Sequence, residues 1–541
     1  MIRAIRLPAV EPPEIVRQAE LLEGYLEDAS GAPPGRASGL CRPASEAELA
    51  ALLRATSAAA TPVLCQAART SLTGGAIPQD ELVISVERLA RIGPVESPAS
   101  GRATVTVEPG VRLSDLREVL RRVGWYYPPV PTYEVAMIGG TVATNAAGAA
   151  TFKYGATRQW VRALRVVLES GDLLEIERGR HLAQRGDAFA IRLSDGTLLR
   201  VPVPDHALPP LKKISAGYFS ADPLDLIDLF IGSEGTLGVF TSITLDLVRL
   251  PPGLLTALVF TSSFAQAYDL ASELRRAALL AHASPGAGEP DVRAIEAIDG
   301  QGLELLRRSG DAARLRVPIP DGAGVALLLE LELAAADDLA DAEDAAARAL
   351  EGRTRADAGP LDRFFGVLGR HGVLEDAQVA LPGDESRRRT LSEFREALPR
   401  RVNELLRERR RSAPEVKKIA GDLAVPFEHL PEMMSLYEAG FRSRGLEHAV
   451  WGHLSDGNLH ANALPRDARE VREATRAILE FGDEAVRRGG TPLSEHGVGR
   501  DPLKQELLRR FLGPAAIASM RRIKRALDPH ARLARGALFP G

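Results

Sequence analysis

At 541 residues the chain exceeds what one hydrophobic core usually supports, so two or three domains are expected. Its 45% hydrophobic and 26% charged residues are those of a soluble globular protein, and a net charge of −4 gives no hint of nucleic acid or of an acidic membrane surface. Cys41 and Cys65 are too few for a metal knuckle or a disulfide framework. The first residues lack a signal-peptide core and no run of 18 apolar residues occurs, so a cytoplasmic location is expected, at most peripheral to a membrane complex.

In chain order, residues 14–28 are predicted helical and SGAPPGRASGLCRP (30–43) reads as a linker. SEAELAALLRATSA (45–58) is an amphipathic helix with a Ser-x-x-Glu capping start. A short strand, TPVLCQ, follows, and then the loop ARTSLTGGAIP. From there to about residue 250 the chain is strand-rich with frequent glycine, as in ATVTVEPGV and VRALRVVLESGDLLEIE. Beyond 251 the strands LLTALVFTSS, VALLLELEL and DAQVAL alternate with Ala/Arg-rich helices, which predicts an α+β layer on an antiparallel sheet. The run ESRRRTLSEFREALPRRVNELLRERRR is most simply a solvated helix, and the last stretch, from about 470, is helical.

Four stretches carry the chemistry. In ARTSLTGGA, glycines beside hydroxyl side chains leave backbone amides able to hold a pyrophosphate. IGGTVATNAAGA (138–149) is too small-sided to build a core and suits the lining of a slot for a flat polar ligand. No Gly-x-Gly-x-x-Gly stands between a strand and a helix, so a Rossmann site has no support. WGHLSDGNLH (451–460) holds a turn, Asp456-Gly457-Asn458, but a turn does not require His453 and His460 at its ends. SEHGVG (494–499) adds Glu495 and His496, so a metal or acid–base site is indicated.

ARTSLTGG, VEPGV, YPPVPT, IGGTVATNAAGA, KYGATR, FIGSEGTLGVFT, GHLSDGNLH, SEHGVG and LDP follow one another in the order found in a known family. Together they resemble the FAD-linked oxidases with the vanillyl-alcohol-oxidase (PCMH-type) flavin fold. Within that family the resemblance is to the D-2-hydroxy-acid dehydrogenase group, which includes D-lactate and D-2-hydroxyglutarate dehydrogenases and the glycolate oxidase flavin subunit. It covers the chain from about residue 40 to the end and is weakest in the middle of the cap.

The resemblance implies an N-terminal segment and linker (1–38), a two-subdomain FAD-binding domain (39–250), an α+β cap with an antiparallel sheet (251–470) and a C-terminal return to the FAD domain (471–541). Non-covalent FAD is implied, since no histidine stands where some relatives attach the flavin. Its pyrophosphate would meet Ala67, Ala68, Arg69, Thr70, Ser71, Gly74 and Gly75. Pro131, Thr132, Gly139, Gly140, Thr144 and Gly148 would line the ring and ribityl slot, with Glu234, Gly235, Gly238 and Val239 towards the adenine. Gln66-Ala67-Ala68-Arg69-Thr70-Ser71 departs from the commoner Arg-Gly-Gly-Gly-Thr-Ser, so the alanines must avoid positive φ, and Arg69 gains the option of a phosphate bond. Ala534-Arg535-Gly536 replaces a frequent Asn-Pro-Gly, and Ser455 replaces a glycine.

His453, His460 and Glu495 match the family's metal ligands, a donor set for Zn²⁺ or Mn²⁺. His496 matches the general base, and Arg395 and Lys418 match cations for the substrate carboxylate. Asn462 shares a strand face with His460. The implied activity is oxidation of a D-2-hydroxy acid to the 2-oxo acid. Electrons would pass to a separate acceptor: an electron-transfer flavoprotein, a cytochrome or a quinone-linked subunit. A homodimer is left open. The competing readings are a non-redox transferase of the same fold, like alkylglycerone-phosphate synthase, and a metal-dependent hydrolase. The missing His-Glu-x-x-His helix argues against the hydrolase.

Overall fold

In the computed structural model, residues 2–98, 102–129, 133–284, 286, 288–333, 342–353 and 359–539 are described. The chain divides into two compact units. One comprises residues 1–148, 155–250 and 493–541, the other residues 149–154 and 251–492.

The first unit contains two α+β subdomains. In the first, strands Arg36–Cys41, Gln79–Ser85 and Val63–Gln66 form a parallel sheet with the middle strand shared. Helix Glu46–Ala58 contributes Leu49, Leu52 and Leu53 to its core. The predicted capping box is present: Ser45 Oγ accepts the N–H of Glu48, and Glu48 Oε2 accepts the N–H of Ala44. The second subdomain is an antiparallel sheet in the order Ile92–Glu96, Thr104–Val107, Val239–Asp246, Val161–Val167, Leu173–Glu177. Two expectations change here. The supposed linker contains strand Arg36–Cys41, because its amides find a parallel partner in Gln79–Ser85. The N-terminal helix shrinks to Ala19–Leu22 and a 3₁₀ turn at Glu23–Tyr25, with Ile2–Arg3 pairing as a strand with Ala188–Arg192.

The second unit is built on an antiparallel sheet in the order Gln378–Ala380, Gly253–Thr261, Val325–Leu333, Asp291–Asp299, His448–His453, Asn458–Ala463, Ile419–Ala420. Leu423–Ala424 also pairs with Asn458–Ala463. The charged run forms helix Glu385–Arg410 and is amphipathic rather than solvated all round. Its Leu391, Phe394, Leu398, Val402 and Leu406 join a core with Ile298, Ala449 and Trp451 of the sheet. Helix Ala468–Arg487 belongs to this unit, so the chain returns to the first unit at Leu493 and not at 471. The helix is held there by Phe481, whose ring meets those of Tyr437 and Phe441 at 5.0 and 5.2 Å. No helix among the described residues is long and apolar enough to cross a membrane.

Candidate active site

In the first unit, residues 67–71 follow strand Val63–Gln66 as a half-buried loop. Gln66 fixes the loop's ends, because its Nε2 donates to Tyr25 O at 2.8 Å and to Ala76 O at 2.6 Å. Ser71 Oγ accepts the N–H groups of Thr73 and Gly75 at 3.2 Å. Ala67 and Ala68 avoid positive φ, as their side chains require, and the left-handed positions fall on Arg69 at φ 58° and on Gly74 at φ 70°, where only the arginine is strained. Arg69 stacks on Tyr25, 4.7 Å from the ring centroid.

Gly140, in helix Ile138–Ala143, faces the same loop; a Cβ there would lie 3.3 Å from Ala67 Cβ. The two small-residue stretches thus meet with no side chain between them. Thr144 caps the helix by donating to Gly140 O, and Gly148 is buried further along. Gly139 and Gly238 have a packing reason, since a Cβ at either would fall within 2.6 Å of Pro109 or Val166. Pro131 and Thr132 lie outside the described residues. Glu234, before Gly235 and the strand that opens at Val239, accepts the N–H groups of Val498 and Gly499 at 2.8 and 2.7 Å. It therefore ties down the end of the SEHGVG loop, and burial pushes its carboxyl up to about 7 against the pull of the two amides. Gln66 Oε1 is buried with no hydrogen-bond partner among the described residues, at the foot of the same loop. A cradle of small residues, half-buried backbone and an orphaned polar atom fits a flavin dinucleotide.

In the same unit, Glu495 is buried and meets Lys213 Nζ at 3.2 Å; Lys213 is itself 1% exposed. His496 Nε2 lies 3.3 Å from Glu495 Oε1. Residues 214 and 215 seat this lysine. Ile214 O accepts from Asn145 Nδ2, Ser215 Oγ donates to Thr144 O, and Ser215 N donates to Leu493 O. Sequence reasoning missed Lys213, because nothing in its neighbourhood distinguishes it from a surface lysine.

In the second unit, strand His448–His453 turns through a 3₁₀ step, Leu454–Asp456, into strand Asn458–Ala463. Gly457 makes the turn at φ 74°, and a Cβ there would sit 1.9 Å from Val425 O, so only glycine fits. The register pairs His453 with Asn458, Trp451 with His460 and Ala449 with Asn462, which puts both histidines and Asn462 on one face. The imidazole centroids are 5.6 Å apart with perpendicular planes. Two imidazoles on one tetrahedral zinc have centroids about 5 Å apart, so the pair fits a shared ion.

On that face Glu296, opposite His453 in the next strand, is hydrogen-bonded to His453 Nδ1. Its other oxygen takes Arg395 Nε at 2.9 Å and Nη2 at 2.7 Å. His453, Glu296 and Arg395 are all buried. Asp422 Oδ1 stands 3.6 Å from His460 Nδ1 and accepts from Asn458 Nδ2 at 3.5 Å. Asn462 donates to His460 O, and half-buried Lys418 precedes the strand whose Ala420 pairs with Asn462. Glu296 and Asp422 were not singled out from sequence, although the Gly-Asp pair in KKIAGDLAVP was available as a signal.

The model of the C-terminal domain of FAD linked oxidases matches residues 251–538, and that of the FAD binding domain matches residues 37–177. The chain belongs to the FAD-linked oxidases. This family member is 29% identical over 504 residues to a D-2-hydroxyglutarate dehydrogenase of Xanthomonas citri pv. viticola, covering 92% of this chain and 88% of the relative. It is 26% identical to the glycolate oxidase subunit GlcD of Bacillus subtilis, over 95% and 92% of the two chains. It is also 25% identical to a D-lactate dehydrogenase of Anaerostipes hadrus, over 90% and 86%. An alkyldihydroxyacetonephosphate synthase structure superposes with a TM-score of 0.60 at 14% identity, covering 99% of this chain and 88% of that one, a likeness of fold. The PCMH-type flavin fold and the antiparallel cap sheet expected from the sequence are present.

Proposed function

We propose that this FAD-linked oxidase is a metal-assisted dehydrogenase of a D-2-hydroxy acid of the lactate or 2-hydroxyglutarate type. One observation carries the reading: His453, Glu296 and Arg395 are buried together on the sheet face that also holds His460. An imidazole pair and a guanidinium on one face suit a substrate with a hydroxyl next to a carboxylate. FAD, when bound, supplies a hydride acceptor at N5 of its ring. A divalent ion would be held by His453 and His460, with Glu495 as the third donor that the resemblance implies, and would supply a Lewis acid for the substrate hydroxyl. Arg395 grips the carboxylate with the part of its fork not turned to Glu296, and Lys418 adds a second positive charge. Asn462 offers a polar contact beside His460. His496 is the imidazole that would take the hydroxyl proton of the substrate. An external acceptor, an electron-transfer flavoprotein, a cytochrome or a quinone-linked subunit, would take the electrons.

The test is anaerobic bleaching of the yellow protein by a panel of D- and L-2-hydroxy acids, before and after chelator treatment. Bleaching by a D-acid that slows at least tenfold after chelation is expected. Bleaching untouched by chelation removes the metal from the reading. A flavin that no hydroxy acid reduces turns it towards the non-redox transferase of the same fold.

A further inference from the structure

We propose that Glu296 is a positioning residue that sets the tautomer of one metal ligand and the pose of the substrate-binding arginine with a single carboxylate; this rests on the reading above. Glu296 is 4% exposed at the centre of the sheet, and its two oxygens serve different masters. Oε1 faces His453 Nδ1, and Oε2 takes the Nε and Nη2 donors of Arg395. An ionised carboxylate only accepts hydrogen bonds, so Nδ1 carries the hydrogen and Nε2 carries the lone pair that a metal needs. The same charge holds the guanidinium plane, and so fixes the direction in which the remaining N–H groups of Arg395 point.

Folding alone does not ask for a carboxylate here. Ile298, two residues along the same strand and face, pairs with Trp451, and both belong to the apolar core under helix Glu385–Arg410. An apolar side chain at 296 would continue that core, and replacing a buried ion pair with apolar groups is often neutral or stabilising. The backbone ladder between Glu296 and His453 needs no side chain. What a carboxylate adds is acceptance from two directions at once.

Glu296→Gln exposes the arrangement because an amide has one accepting oxygen. If that oxygen turns to Arg395, the NH₂ faces Nδ1, which must then accept, and the hydrogen moves to Nε2 and blocks ligation. If it turns to His453, an NH₂ opposes the guanidinium and Arg395 loses its pose. The experiment measures Zn²⁺ affinity by competition with a chromophoric chelator in wild type, E296Q and E296D, with flavin content and thermal midpoint recorded alongside. Zinc binding at least tenfold weaker in E296Q, with flavin content unchanged, is expected. E296D, which keeps the charge but is one methylene shorter, should lie between the two and decides the matter if E296Q does not fold. Zinc affinity in the folded variant equal to wild type, with or without a lower thermal midpoint, overturns the proposal. If wild type binds zinc no better than a His453→Ala/His460→Ala double variant, the metal reading fails instead, whatever E296Q does.

Discussion

Glu234 offers a test in which the sign of an effect changes with pH. Its carboxylate, on a backbone at φ 53°, accepts two amides of the SEHGVG loop, and burial lifts its pKa from the ordinary 4.5 to about 7. Between those values the folded chain keeps a proton that the unfolded chain has lost. Stability from this group is therefore fully present below about 4.5 and lost as pH rises through about 7. At 1.36 kcal/mol per pH unit the loss is about 3 kcal/mol, and about 2 kcal/mol after allowance for solvent around a partly exposed residue. Glu234→Gln does not titrate, but it cannot accept both N–H groups, which costs about 1–2 kcal/mol at every pH. The variant should therefore melt below wild type at pH 5 and close to it at pH 8. The gap between the two proteins should close by on the order of 2 °C. Thermal melts at both pH values, at matched flavin content, make the comparison. A gap of the same size at pH 5 and pH 8 would refute the reasoning, because burial would then not govern the titration of Glu234.

Other substitutions test separate parts of the site. Arg69→Gly relieves the left-handed backbone while Arg69→Ala does not, and both lose the contact with Tyr25, so urea melts should find the glycine variant about 1 kcal/mol more stable. Gly457→Ala drives a Cβ into Val425 O and should cost several kcal/mol, read as loss of soluble protein or of bound zinc; a well-behaved variant would show that the turn tolerates another course. His496→Ala should keep flavin and metal while turnover falls about 10²–10⁴-fold, and near-normal turnover would place the base elsewhere. Lys213→Met removes the ammonium beside buried Glu495 and should cost about 3–5 kcal/mol in the metal-free protein, seen as a lower thermal midpoint.

What could be read from the sequence was local. The Ser45 capping box, the long apolar cap strands and the small-residue stretches announce themselves within a dozen residues, and the structure has each of them. What could not be read depends on distant partners. Strand Asp291–Asp299 carries four charged residues in nine, as a surface strand would, yet it lies at the centre of the sheet. Glu296 on that strand meets residues 99 and 157 positions away, so no local pattern marks it as buried. Strand Arg36–Cys41 is similar: rich in small residues and glycine, it is extended because a parallel partner completes it. The resemblance named His453 and His460, but the carboxylate behind His453 became visible only when the strands were placed side by side.

Residues 149–154 leave the first unit and join the second before the chain returns at Gly155. Within that hexapeptide, Lys153 meets Asp291 at 2.6 Å and Glu332 at 2.5 Å, and Tyr154 Oη donates to Glu332 at 2.6 Å. The cap is thus not a cassette with one entry and one exit. A chimera cut at residues 250 and 493 would transplant Asp291 and Glu332 while leaving their ammonium and phenol behind in the host. Exchange of caps between family members is therefore constrained by a six-residue passenger about a hundred positions upstream, and a working hybrid has to carry both pieces.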